Sequence, residues 1–326
     1  MSASELRIGL VGAGGISRVH ADAWRTLGAH VTVTSRTGAE ELAAEYGMSV
    51  ASDIETLLAE VDAVDIVTPS GTHVGVALAA IAAGVHVICE KPLAPTAVEA
   101  RRIVDAATAA GVRLFPAHVV RYFPAYSRIK AQIDAGTVGE VSTQRLFRRG
   151  SAPSAPWFFL ESTGGGVIRD LMIHDIDQAL WHAGPVVSVS AMQDPPTIDD
   201  IVPVPVTARV ELVHASGALS HLEAMWGAPG LVFRTGIEIV GSLGRLAYDS
   251  AEDSSLQMDA TADHLPPASP TESPYLSQLA DFVAAIQQDA AARVSGPDGV
   301  AAIAVAEAAY ASIATGCPIP VTPAAG

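Results

Sequence analysis

Leu6-Arg7-Ile8-Gly9-Leu10-Val11-Gly12-Ala13-Gly14-Gly15-Ile16-Ser17 is the stretch on which the fold turns. Leu6–Val11 is short, apolar and bounded by glycine, as a buried strand is, and Ile16–Leu27 carries apolar residues at helical spacing. Gly12 permits a tight turn between the two, and Gly14 lets the backbone approach a pyrophosphate. With Gly15 and Ile16 the helix then opens, offering free N–H groups and a partial positive charge to phosphates. Ser17 stands where a third glycine or alanine is usual and is small enough to keep helix and strand close. A ligand-free glycine turn would read the same in isolation. At a strand-to-helix junction that heads a βα series, the pattern points to a dinucleotide.

Outward from this loop the alternation continues. Val31–Thr34, Val64–Thr68, Val85–Cys89 and Arg113–Pro116 read as strands. Between them Ala39–Tyr46, Ile54–Ala59, Thr72–Ala83 and Thr96–Ala110 read as helices, three of them stopped by Gly47, Gly84 and Gly111. Such alternation predicts an α/β fold: a doubly wound parallel sheet of Rossmann type over residues 1–120. After about residue 120 the rhythm changes. A helix at Pro124–Ala135 is followed by strands at Glu140–Arg149, Val186–Met192, Thr207–His214, Gly217–Met225, Arg234–Val240 and Gly244–Tyr248. Their short connections predict a mostly antiparallel sheet, with a helix inserted at Gly166–His182. Leu256–Pro274 reads as a loop, then helices at Tyr275–Ala291 and Asp298–Thr315 close the chain. Residues 121–326 are therefore expected to form a second, α+β domain.

Composition excludes several classes. The chain has 326 residues, 49% hydrophobic and 17% charged, enough for two packed domains. A net charge of −16 argues against a nucleic-acid partner, whose phosphates would be repelled. The apolar runs Val74–Ala83 and Val300–Ala306 are too short to span a bilayer, and Met1–Arg7 lacks a signal-peptide pattern. Cys89 and Cys317 make neither a disulfide framework nor a metal cluster, and no metal is expected. A reducing, cytoplasmic compartment is expected.

The second strand's end bears on the cofactor. A carboxylate there would bind a ribose 2′-OH, but Val33-Thr34-Ser35-Arg36-Thr37 has none. Ser35 and Arg36 suit a 2′-phosphate, which favours NADP over NAD; a merely solvated arginine is the alternative. Lys91 is one of only two lysines and follows Val85–Glu90 at the carboxyl edge where ligands bind, with Pro92 fixing the turn. It could hold a substrate oxygen as the hydroxyl proton leaves. Asp170 and His174 lie four apart on a helix that opens at the Gly164–Gly166 run, which reads as flexible. Imidazole is a suitable base for an alcohol proton and a carboxylate can orient it; taken alone, a structural helix pair reads identically. Arg145, Arg148 and Arg149 could meet a substrate anion or face solvent or an interface, with Arg148 opposite the other two.

Together GAGGISRVH, TPSGTH, EKPLAPT, RYFP, GGGVIRDLMIHDID and the closing AEAAYASIATGCPIPV resemble the glucose–fructose oxidoreductase/inositol dehydrogenase (Gfo/Idh/MocA) family along the whole chain. The resemblance implies that the second sheet is open and often serves oligomerisation, so a homodimer or homotetramer is expected. It implies Lys91, Asp170 and His174 as the catalytic trio, with Thr68, Pro69, His73, Glu90 and Lys91 itself lining the cofactor and His118 and Arg121 near the nicotinamide. The expected activity is hydride transfer between a nicotinamide cofactor, NADP or NAD, and a secondary alcohol or ketone of a sugar, cyclitol or related polyol. A glycosidase working through transient oxidation is the enzymatic alternative, and a non-enzymatic NADP-sensing regulator the other. Should the trio fail, Tyr122 and His118 are the next candidate proton acceptors.

Overall fold

The computed structural model describes residues 6–251, 257–258 and 273–322. The chain divides into two compact units, one running to residue 122 and including 273–300, the other comprising the described residues of 123–270 and 301–322.

The first unit alternates as expected: β1 (Arg7–Val11), α1 (Gly15–Leu27), β2 (His30–Thr34), α2 (Ala39–Tyr46), β3 (Ser49–Val50), α3 (Ile54–Leu58), β4 (Ala63–Ile66), α4 (His73–Ala82), β5 (His86–Glu90), α5 (Ala97–Ala110) and β6 (Leu114–Ala117). The strands form one parallel sheet in the order β3-β2-β1-β4-β5-β6. Strand order reverses between β1 and β4, where an open α/β sheet leaves its ligand crevice. β4 is buried along its whole length, as a central strand covered on both faces must be. The two-residue β3 was not legible, being too short to show alternation.

The first unit also takes in a segment that the sequence pattern assigned to the second domain. Helix α8 (Pro274–Gln288) starts on a proline at its first turn and spaces Leu279, Phe282 and Val283 along one face. That face joins Ile8, Trp24, Ile88 and Phe115 in one core, with the Phe115 and Phe282 rings stacked 4.8 Å apart. The domain boundary is thus corrected for 273–300: periodicity shows that a helix is amphipathic, not which core receives its apolar face. Most of the loop expected at Leu256–Pro274, and most of Met1–Arg7, lie outside the described residues.

The second unit holds α6 (Pro124–Asp134), β7 (Val141–Ser151), a π-helical turn at Val167–Met172, α7 (Ile173–Ala183), β8 (Val186–Asp194), β9 (Val206–His214), β10 (Leu219–Gly227), β11 (Arg234–Gly241), β12 (Arg245–Asp249), β13 (Gln257–Met258) and β14 (Ile319–Pro320). The sheet order is β13-β12-β11-β7-β10-β9-β8-β14, antiparallel except for β7 against β10. Burial alternates along β9, along β7 from Gln144 onward and along β10 as far as Trp226. On β7, Gln144, Leu146 and Arg148 point inward, leaving Arg145, Phe147 and Arg149 on the opposite face with Arg209 and Glu223. Helix α9 (Gly296–Thr315) is, by length and composition, apolar enough to cross a membrane, longer than the Val300–Ala306 run suggested. Half of its most apolar stretch is buried, with Ala302, Ile303 and Ala306 fully enclosed, as in a core helix.

Candidate active site

In the first unit the β1–α1 loop shapes a groove of about 540 Å³ lined by Gly12–Gly14, Ser35–Thr37, Ser52–Ile54, Thr68, Pro69 and Thr72. Gly12 has φ +117°, and a Cβ there would stand 3.0 Å from the Val67 carbonyl oxygen, so glycine is required. Above Gly14 and Gly15 a Cβ would meet nothing within 4 Å, the open approach a pyrophosphate needs. Helix α1 begins without a side-chain cap and without an acid in its first turn, leaving its N–H groups and dipole for an anion. Ile16 follows half-buried, Ser35 is half-buried and Arg36 exposed. These residues fit a dinucleotide. Ser52 and Asp53 were missed, although Asp53 is a recognisable N-cap whose carboxylate accepts the Thr56 N–H at 2.7 Å.

Thr68 and Pro69 line this groove, whereas His73 and Glu90 turn into the interior. The His73 ring nitrogens lie 2.8 Å from the carbonyl oxygens of Thr68 and Pro92, so the imidazole is wedged between the turn after β4 and the turn after β5 and, when neutral, donates its single N–H to one of them. Burial holds its pKa down. Glu90 Oε2 accepts the Lys91 N–H at 3.0 Å, and Oε1 lies 3.3 Å from His20 Nε2. His20 Nδ1 is 2.8 Å from Asp65 Oδ2, which also accepts the Trp24 indole N–H at 2.7 Å. Burial alone would push the His20 pKa down, but the Asp65 and Glu90 carboxylates outweigh it and raise it to about 10, so the ring is cationic. Burial opposes ionisation of Glu90 as well, yet His20 holds its pKa below the usual range. No motif announced this trio. Its signal was Asp65, a carboxylate inside the apolar run Ala63-Val64-Asp65-Ile66-Val67, which must find a partner. Lys91 itself is half-buried, at the carboxyl end of β5.

His118 is buried beyond β6. Arg121 reaches Asp298 Oδ1 at 3.1 Å and donates to the Arg293 carbonyl at 3.0 Å, so it braces this unit. Tyr122 donates its hydroxyl to Asp281 Oδ2 at 2.6 Å, and burial together with that carboxylate pushes its pKa far up. A phenol so placed is a poor proton acceptor.

In the second unit Asp170 and His174 are half-buried on one continuous helical segment, Asp170 in the π-helical turn and His174 in the first turn of α7. The turn is wider than the α-helix expected, and such turns recur at functional sites. The preceding glycine run is packed rather than loose. All three residues are buried; a Cβ on Gly164 would fall 2.2 Å from the Trp157 carbonyl oxygen, and Gly165 and Gly166 take φ +82° and +56°. Tyr310 donates its hydroxyl to the Gly165 carbonyl and accepts the Arg169 N–H at 3.3 Å, closing the helix start. Arg148 is not available to a substrate. It is buried and grips Asp175 through Nη2–Oδ1 at 3.0 Å and Nε–Oδ2 at 3.3 Å. Burial disfavours its charge, but Asp175 more than offsets this and raises its pKa. Arg145 and Arg149 stay on the opposite sheet face. Among the described residues no three of His, Cys, Asp and Glu converge on a point that could hold a metal ion.

Comparison with known proteins agrees with this layout. Residues 6–118 match the model of an oxidoreductase family with an NAD-binding Rossmann fold, and 126–247 match the GFO/IDH/MocA C-terminal domain. Inositol 2-dehydrogenase of Rhizobium meliloti (strain 1021) is 31% identical over 330 residues, covering 95% of this chain and 97% of that protein. Among solved structures, GenD2 from gentamicin A biosynthesis in complex with NAD is 26% identical with a TM-score of 0.85, covering 97% of this chain and 96% of that one. Levoglucosan dehydrogenase in complex with NADH and levoglucosan is 25% identical with a TM-score of 0.87, covering 98% and 99%. With both halves matched and a relative aligned almost end to end, this chain belongs to the GFO/IDH/MocA family of oxidoreductases.

Proposed function

We propose that the protein oxidises a secondary alcohol of a sugar, cyclitol or related polyol, or reduces the matching ketone, with NADP preferred over NAD. The observation that carries the reading is the glycine-lined groove, with its free helix N-terminus, in a chain aligned with an inositol 2-dehydrogenase. Bound there, the nicotinamide supplies a hydride acceptor at its C4. Gly12, Gly14, Gly15 and Ile16 hold the pyrophosphate, Ser35 and Arg36 the ribose 2′-phosphate, and Thr68 and Pro69 the neighbouring wall. His174 is the base. It takes the hydroxyl proton while Lys91 holds negative charge on the oxygen and Asp170 orients the imidazole.

A panel of sugars and inositols, followed by cofactor absorbance at about 340 nm, tests the reading. Turnover of free polyols is expected; aglycone release without net cofactor change would replace it with glycoside cleavage. Lys91→Met and His174→Ala should each lose about 10²–10⁴-fold in turnover while the protein still binds cofactor. Near-wild-type turnover in either would remove that residue from the chemistry. Calorimetric titration should show tighter NADP(H) than NAD(H) binding, reversed by Ser35→Asp; equal affinities refute the preference. The face bearing Arg145, Phe147, Arg149 and Arg209 is proposed to bury itself in a homo-oligomer of a soluble, cytoplasmic enzyme. A monomer by light scattering at micromolar concentration would refute that.

A further inference from the structure

We propose that His20 is a positioning residue: with Asp65 and Glu90 it forms a buried charged brace that sets the turn carrying Lys91. The inference rests on the reading of Lys91 as a group that acts on substrate.

Two carboxylates are buried on adjacent parallel strands, Asp65 within β4 and Glu90 at the end of β5. One imidazole from α1 stands between them, 2.8 Å from the first and 3.3 Å from the second. If stability alone were at stake, three apolar side chains of similar volume would serve as well, because desolvating charges is costly even when they are paired. The far end of the brace gives it a use. Glu90 turns its second oxygen to the Lys91 backbone N–H at 3.0 Å, while His73 meets the Pro92 carbonyl from the other side at 2.8 Å. The two residues of the turn are therefore held from both flanks by buried rings, one directly and one through Glu90. Trp24, donating to the Asp65 oxygen that His20 also meets, keeps the far carboxylate from rotating. A group that must meet a substrate oxygen gains from such fixing, since a misplacement of about 1 Å can cost about a hundredfold in rate.

The chain's two lysines make the test direct. Reductive methylation with 13C-formaldehyde labels Lys91, Lys130 and the N-terminal amine and keeps their charge; the N-terminal NMR signal is set apart by titrating near about pH 8, and a Lys130→Arg variant assigns the other two. In His20→Gln, without cofactor or substrate, the Lys91 signal should shift or broaden while that of Lys130 stays. With the best substrate of the polyol panel, kcat should fall about tenfold or more, while KM and the cofactor Kd change less than about threefold. A Lys91 signal identical to wild type, or an unchanged kcat in a protein whose Lys91→Met variant is inactive, overturns the proposal. If the signal moves but Lys91→Met keeps full turnover, the brace stands and the assignment of Lys91 to chemistry falls. Should His20→Gln fail to fold, Glu90→Gln carries the same measurements with the same expected and refuting results.

Discussion

Replacing Arg148 by methionine should destabilise the second unit sharply. Methionine nearly matches the length of the aliphatic stem but removes both donors that hold Asp175, whose side chain is fully buried at 0% exposure against 6% for Arg148. Stripping one member from a buried ion pair leaves the other charge stranded, at a cost of about 3–5 kcal/mol. For a unit of this size each kcal/mol is worth roughly 2–4 °C, so the melting temperature should drop by about 6–20 °C. The deficit should shrink as pH falls, because protonating Asp175 removes the stranded charge. The double variant Arg148→Met/Asp175→Leu should recover most of the loss, since an apolar pair of similar volume often substitutes without penalty. Asp175 follows His174 on α7, so the single variant should also lose turnover. Differential scanning calorimetry of wild type, single and double variants decides the matter. A single variant melting within about 2 °C of wild type, or a double variant no better than the single, would refute the argument.

Three further outcomes are expected. His20 has a folded-state pKa of about 10 against 6.5 for a free imidazole, so its contribution to stability is complete below pH 6.5 and lost as pH rises toward 10. Melting curves between those values should fall more steeply for wild type than for His20→Gln; parallel curves would count against the ion-paired ring. Gly12→Ala should lose most cofactor affinity, because its Cβ would crowd the Val67 carbonyl at a φ of +117°, whereas an alanine at Gly14 meets no protein atom and should act only through bound cofactor. Melting of the cofactor-free variants separates the two, since only Gly12→Ala is strained without cofactor; a Gly12→Ala protein that melts like wild type and binds cofactor normally would refute the argument. Tyr122→Phe should leave kcat within about twofold and cost about 1–3 kcal/mol of stability, since it leaves Asp281 without its hydroxyl donor. A large loss of kcat would return Tyr122 to the candidate proton carriers.

Much of this architecture was written locally. The strand and helix periods of the first unit, the Gly12–Gly15 loop and the helix-stopping glycines are short-range features, each set by the conformational preferences of a few neighbouring residues. The alternation on β7 likewise told that Arg148 would face away from Arg145 and Arg149, because a strand has a strict period of two. What alternation could not tell was which face is buried, and so whether Arg148 meets substrate or Asp175. The same limit explains α8, whose apolar face was evident but whose partners, Ile8, Trp24, Ile88 and Phe115, lie far away in sequence. It explains His20, too: its partners are 45 and 70 residues away, and only the assembled sheet brings β4 and β5 to α1. Local sequence sets conformation and pattern; burial, ion pairing and the charge of an imidazole depend on desolvation, which exists only once the chain has packed.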